Sequence, residues 1–224
     1  MKALFLSTAL VVYNIAVSLL PTKAHSFAYV PLNVLAAAIL LLWARRVATL
    51  SPAQLGFTPG YSSITSATWG IGIGLAIGLP ILLVLLLFRS HLPLHSLEAF
   101  TSTGIPDLLW RIIIWVPFGT VMLEETAFRG VLFAVVEQDS GLQRALILSS
   151  VAFALWHIGV VIRGLATGNL GPQSAILAFL AISIVTFIAG LGLAFVRVRT
   201  SSLVGPMVIH WVVNSLVTLA LWQP

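Results

Sequence analysis

Residues 112–136 read IIIWVPFGTVMLEETAFRGVLFAVV. Apolar residues run on both sides of a short charged insert made of Glu124, Glu125 and Arg129. About 20 mostly apolar residues cross a bilayer core. Taken as 107–136, this stretch is long enough for one tilted membrane helix or two shorter ones. It lacks the period-two alternation that a membrane barrel strand needs. Each charge would cost on the order of 2.5–3.5 kcal/mol at a helix centre, roughly 8–10 kcal/mol for the three, if left facing lipid. They must therefore pair, face other helices or line a wet cavity. Pro117 has no backbone donor and is expected to kink the segment.

Outward from this stretch, further apolar runs lie near 3–20, 28–44, 69–88, 143–162, 173–196 and 202–222. Seven spans follow, or eight if 107–136 splits. Of the 224 residues, 59% are hydrophobic and only 8% charged, against about 25% charged in soluble proteins. The mean hydropathy is +1.09. These values exclude a soluble globular enzyme, a disordered chain and a nucleic-acid binder living on surface charge. The expected fold is an all-α polytopic membrane helix bundle of seven to eight transmembrane helices. It forms a single integral membrane domain over 1–224, with N-terminal helices in 1–106 and a motif-bearing core in 107–222. The polar connectors, 45–68 and 89–107, are too short for a second domain. The first carries the turn residues Pro52, Gly56, Pro59 and Gly60. His25, His91 and His95 fall in connectors and are expected to be solvated.

Lys2 followed by an apolar run has the outline of a signal peptide. The run exceeds the roughly 7–15 residues of a signal core and no A-x-A site follows, so it reads as a retained span. With no cysteine, there is no disulfide, thiolate nucleophile or cysteine-ligated metal. Basic residues outnumber acidic ones 11 to 6, an excess typical of cytoplasmic loops in membrane proteins. With seven spans, Lys2, Arg45, Arg46, Arg144, Arg197 and Arg199 share one side. Lys23, Arg89, Arg111 and Arg163 share the other. The positive-inside bias then predicts a cytoplasmic N-terminus.

Spacing divides the buried polar residues. Glu125 and Arg129 are four apart on one helix face, in the favoured order for an ion pair. Glu124 is rotated by about 100°. It remains a spare carboxylate in an apolar setting, suited to general-base work. Alternatively, all three form one ion network that holds helices together. Phe153 and His157 share a face in FALWH, where the ring can buttress the imidazole. His210 and Asn214 share a face in HWVVN, either as interhelical glue or as functional groups. An acid, two imidazoles and an amide in one cavity make a hydrolytic set. Carboxylate and imidazole can activate water, while imidazole and amide N–H can stabilise an oxyanion. The same set could hold zinc through Glu124, His157 and His210. Asparagine is a poor zinc ligand, which favours direct water activation with no cofactor.

EETAFRG at 124–130 fits an EExxxR motif, FALWH at 153–157 fits FxxxH, and HWVVN at 210–214 fits HxxxN. In this order, in late apolar segments, they resemble the CPBP family of intramembrane proteases. That family contains the CAAX prenyl endopeptidase Rce1 and the bacterial Abi-like proteins. The match covers roughly 107–220, and LGF at 55–57 looks like the family's pre-core segment. The resemblance implies a helical core of near eight spans with an active site open to the cytosolic leaflet. It implies Glu124 as the water-activating residue assisted by His157, with His210 and Asn214 as the oxyanion site. Glu125, Arg129 and Phe153 match its supporting positions. The implied partners are the lipid bilayer and a membrane-associated or hydrophobic peptide, prenylated or not, in a bacterial cytoplasmic membrane. Two other classes compete: a non-catalytic membrane immunity or scaffold protein, and a proton-coupled transporter. The second lacks the repeat between halves that such transporters carry.

Overall fold

The computed structural model describes residues 2–58, 61–88 and 104–222. The readings made on Pro59, Gly60, Arg89, His91 and His95 lie outside these residues. Every regular element among the described residues is a helix: α1 (Lys2–Ser18), α2 (Thr22–Arg46), α3 (Tyr61–Leu87), α4 (Ile105–Ser140), α5 (Leu142–Trp156), α6 (Ile158–Ala166), α7 (Pro172–Thr200) and α8 (Val204–Leu221). Six stretches are long and apolar enough to cross a membrane, with α5 and α6 together counting as one. At 17 residues, α1 sits at the short limit of about 17–25 for a span, which brings the total to the expected seven. Large apolar side chains such as Phe27, Leu87, Leu177 and Val185 face outward, while Asn33, Ser66, Glu125 and Arg129 are buried. This reversal of soluble patterning is what a lipid solvent selects. The chain is an integral membrane protein.

The fourth segment does not split; α4 is one helix of 36 residues. Two stretches, Arg111–Val121 and Thr126–Leu132, are wound as π-helix. Pro117 explains part of this. In π register the N–H of Met122 bonds to the Pro117 carbonyl, five residues back. By the same register residue 117 should donate to the Ile112 carbonyl, but proline has no N–H. The indole Nε1 of Trp211 donates to that carbonyl instead, at 2.8 Å. The expected disturbance is thus absorbed as a widened helix with an α8 side chain inserted into its ladder.

Helix α8 is set chiefly by α3. Gly70, Gly74 and Gly78 fall four apart on α3, and a Cβ at these positions would lie 2.8 Å from Val208, 2.9 Å from Val212 and 2.6 Å from Leu216. Small residues let membrane helices approach this closely. Ser66 extends the seam, its hydroxyl accepting from the Gly205 N–H at 2.8 Å.

The connectors group as alternating spans require. Arg197 donates to the Gln54 carbonyl, Thr58 to that of Ser201, and Leu203 N–H to that of Gly56. These bonds bring the α2–α3 connector and the α7–α8 turn to one end of the bundle. Gly56 has φ +84°, and a Cβ there would lie 2.5 Å from Arg197 Nε, so only glycine fits the turn. At the other end, Arg163 donates to the Ser18 and Leu20 carbonyls.

Two local expectations are corrected. Helix α3 begins at Tyr61, eight residues before the apolar run does, so the first connector is shorter than 45–68. His25 lies in the first turn of α2, not in a connector, with its ring 5.0 Å from Tyr29 and 6.1 Å from Trp115. Aromatic packing supplies a reason for an imidazole to sit there.

Candidate active site

Helix α4 brings Glu124, Glu125 and Arg129 into the centre of the bundle, each with 6% exposure or less. Arg129 Nη1 lies 3.1 Å from Glu125 Oε1, the pairing that i,i+4 spacing predicts. The guanidinium carbon stands 3.9 Å above the centre of the Phe153 ring, a cation–π contact from α5. Glu125 Oε1 also meets His210 Nδ1 of α8 at 2.8 Å. A carboxylate oxygen flanked by a guanidinium can only accept, so His210 Nδ1 carries the proton of this bond. Glu125 is therefore engaged from two helices.

The environment of Glu124 is different. Its Oε1 accepts one hydrogen bond, from the Trp156 indole Nε1 at 2.9 Å. Its Oε2 is buried with no hydrogen-bond partner among the described residues. His210 Nε2 stands 3.8 Å from it. That separation is too long for a direct hydrogen bond.

His157 sits where the fifth span breaks. The residue has φ −70° and ψ −2°, and the N–H of Val160 turns back to the His157 carbonyl in a tight turn. His157 Nδ1 lies 2.7 Å from the Phe153 carbonyl. A carbonyl cannot donate, so Nδ1 holds a proton; when the ring is neutral, Nε2 is its accepting nitrogen. Phe153 joins the two imidazoles: its ring meets His157 edge-on at 4.7 Å and His210 at 6.0 Å. His157 lies within Coulombic reach of Glu124, His210 and Arg129.

The structure thus gathers Glu124, Glu125, Arg129, Phe153, His157 and His210 around one centre. Asn214 follows His210 by one turn on α8. Its side chain is half-buried and makes no hydrogen bond among the described residues. Two contacts escaped the sequence. Trp156 binds Glu124 across 32 positions, and His210 binds Glu125 across 85. One signal existed for the first: a buried indole N–H needs an acceptor, and Trp156 directly precedes His157. Nothing in the sequence pointed to the second.

Among the described residues, no group of three His, Cys, Asp or Glu side chains stands arranged to hold a metal ion. Glu124, His157 and His210 do not gather into a three-donor set as they stand, although both rings turn Nδ1 to an acceptor and keep Nε2 unspent.

Residues 106–216 match the model of a family described as Rce1-like, type II CAAX prenyl endopeptidase Rce1-like. No curated protein and no solved structure matches the chain.

Proposed function

The chain belongs, through residues 106–216, to the Rce1-like family of proteases, and from that premise we propose an intramembrane endopeptidase in which Glu124 activates the attacking water. What carries this reading is the contrast between two adjacent glutamates. Each keeps one buried oxygen without a hydrogen-bond partner among the described residues, but Glu125 is held through Oε1 by Arg129 and His210, whereas Glu124 accepts only from Trp156 and its open Oε2 stands 3.8 Å from His210 Nε2.

The residues divide the chemistry as follows. Water sits between Glu124 Oε2 and the accepting Nε2 of His157. Glu124 takes its proton as the oxygen attacks the peptide carbonyl. The developing oxyanion receives the N–H of His210 Nε2 and the amide N–H of Asn214. To donate there while bonded to Glu125, His210 carries a proton on each nitrogen. The site then holds two carboxylates against two cations, Arg129 and His210, and is neutral overall. Collapse of the intermediate breaks the C–N bond, and the proton held by Glu124 passes to the leaving amine.

The substrate is a membrane-associated or hydrophobic peptide cut at bilayer depth. The end of the bundle that carries Arg45, Arg46, Arg197 and Arg199 faces the cytoplasm of a bacterial cytoplasmic membrane, with the N-terminus on the same side. His210 lies six residues into α8 from that end, about 9 Å along its axis, which suits entry from the cytosolic leaflet. The test is reconstitution into vesicles with hydrophobic peptides, with and without a prenylated C-terminal cysteine. Wild-type protein should cut at least one class and Glu124→Ala neither. Wild-type protein that cuts neither would favour an immunity or scaffold role, and an active Glu124→Ala would refute the site.

A further inference from the structure

We propose that Trp156 is a positioning residue for Glu124 and that Asn14 of α1 holds Trp156 in place, so that a helix outside the family-matched residues completes the site. The inference rests on the general-base role given to Glu124 above.

A carboxylate on a three-torsion side chain has two equivalent oxygens and no fixed aim. The indole N–H on Oε1, at 2.9 Å and fully buried, removes that freedom and leaves Oε2 as the oxygen that faces His210. No other hydrogen-bond donor to Glu124 exists among the described residues. Packing from two sides fixes the indole. Tyr13 of α1 stacks on it at 6.4 Å and 17°, and Phe128 meets it edge-on at 5.6 Å.

The backbone of Trp156 is held as well. The turn at His157 takes the N–H of Val160 to the His157 carbonyl and out of regular register with the Trp156 carbonyl. Asn14 Nδ2 donates to the Trp156 carbonyl. It can reach this point because residue 159 is glycine: a Cβ there would stand 2.6 Å from the Asn14 amide. Helix α1 is itself tied to the core. Tyr13 donates to Asn33 Oδ1 at 2.6 Å, and Asn33 donates to the Gly119 carbonyl of α4 at 2.5 Å. Gly119 precedes Glu124 by five residues, so the path from α1 returns to the helix that bears the base. A core tryptophan can serve packing alone; here its indole N–H is committed to the carboxylate that no guanidinium holds.

Trp156→Phe keeps an aromatic ring against Tyr13 and Phe128 and deletes the donor. With a cleaved peptide in hand, its kcat should fall about 10–100-fold, because small misplacements of reacting groups cost on this scale. KM should stay within about 3-fold and the unfolding temperature near that of wild type, since the deleted contact aims a base and binds no substrate. Asn14→Ala should lower kcat about 3–10-fold at unchanged KM and add less than about 2-fold on top of Trp156→Phe, because both act through one contact. Glu124→Gln runs beside them: if it stays active, the general-base reading fails. If it is inactive while Trp156→Phe retains wild-type kcat, only the positioning role is overturned. A loss in Trp156→Phe that follows KM or unfolding temperature also overturns it. Should Trp156→Phe not fold, Asn14→Ala decides alone, and wild-type kcat there refutes the proposal.

Discussion

Arg129→Ala strikes the support of the site without touching its proposed reacting groups. Arg129 and Glu125 are 1% and 0% exposed and meet at 3.1 Å. Removing the guanidinium leaves Glu125 charged and buried, with His210 as its only remaining side-chain partner among the described residues. Deleting one member of a buried pair costs about 3–5 kcal/mol. The loss of the 3.9 Å contact with Phe153 acts in the same direction. For a chain of this size each kcal/mol lowers Tm by about 2–4 °C, so Tm should drop by about 6–20 °C. Thermal unfolding in detergent, followed by circular dichroism, reads this directly. Arg129→Met with Glu125→Leu removes both charges and should recover most of the loss, because apolar replacement of a buried pair is often neutral. That double variant should still be inactive, since His210 loses its acceptor. Arg129→Ala within about 2 °C of wild type would refute the pairing as a source of stability.

Further outcomes follow from other contacts. Gly74→Leu should push α8 from α3, where Val212 leaves no room, and reduce cleavage about 100-fold by moving His210; Gly72→Ala, with open space around it, should leave cleavage unchanged. Trp211→Phe strands the Ile112 carbonyl and should cost about 1–3 kcal/mol in an unfolding measurement. Pro117→Ala, which restores a backbone donor, should relieve part of that cost. Cleavage should survive strong chelation, because Glu124, His157 and His210 do not gather into a three-donor set among the described residues; activity lost with bound metal and regained on its return would overturn this.

Membrane character and most spans were legible because apolar runs of bilayer length leave little choice in the absence of water. The Glu125–Arg129 pair was legible because both residues lie on one helix, where spacing fixes proximity. Contacts between helices were not. Whether His210 would turn to Glu125 or to its neighbour Asn214 depends on how closely α8 approaches α4. The glycines of α3 and the Trp211–Ile112 bond help to set that approach. The start of α3 was missed because YSSITSAT at 61–68 is small and polar. Ser66 packs there against Gly205 and Thr200, a reason visible only once α8 is in place. The break at His157 carries no proline. It was concealed within a continuous apolar run, and the Asn14 bond that steadies it comes from the other end of the chain.

The central claim is that Glu124 supplies the base while Glu125 supplies support. It is tested most directly by single-turnover cleavage of a verified peptide by Glu124→Gln, with peptide binding measured on the same preparation. The substitution keeps size and the Trp156 hydrogen bond but cannot accept the proton of water. Loss of a general base typically slows a reaction about 10²–10⁴-fold, so cleavage should fall by that factor while peptide affinity and Tm hold. Cleavage by Glu124→Gln at near the wild-type rate would contradict the account.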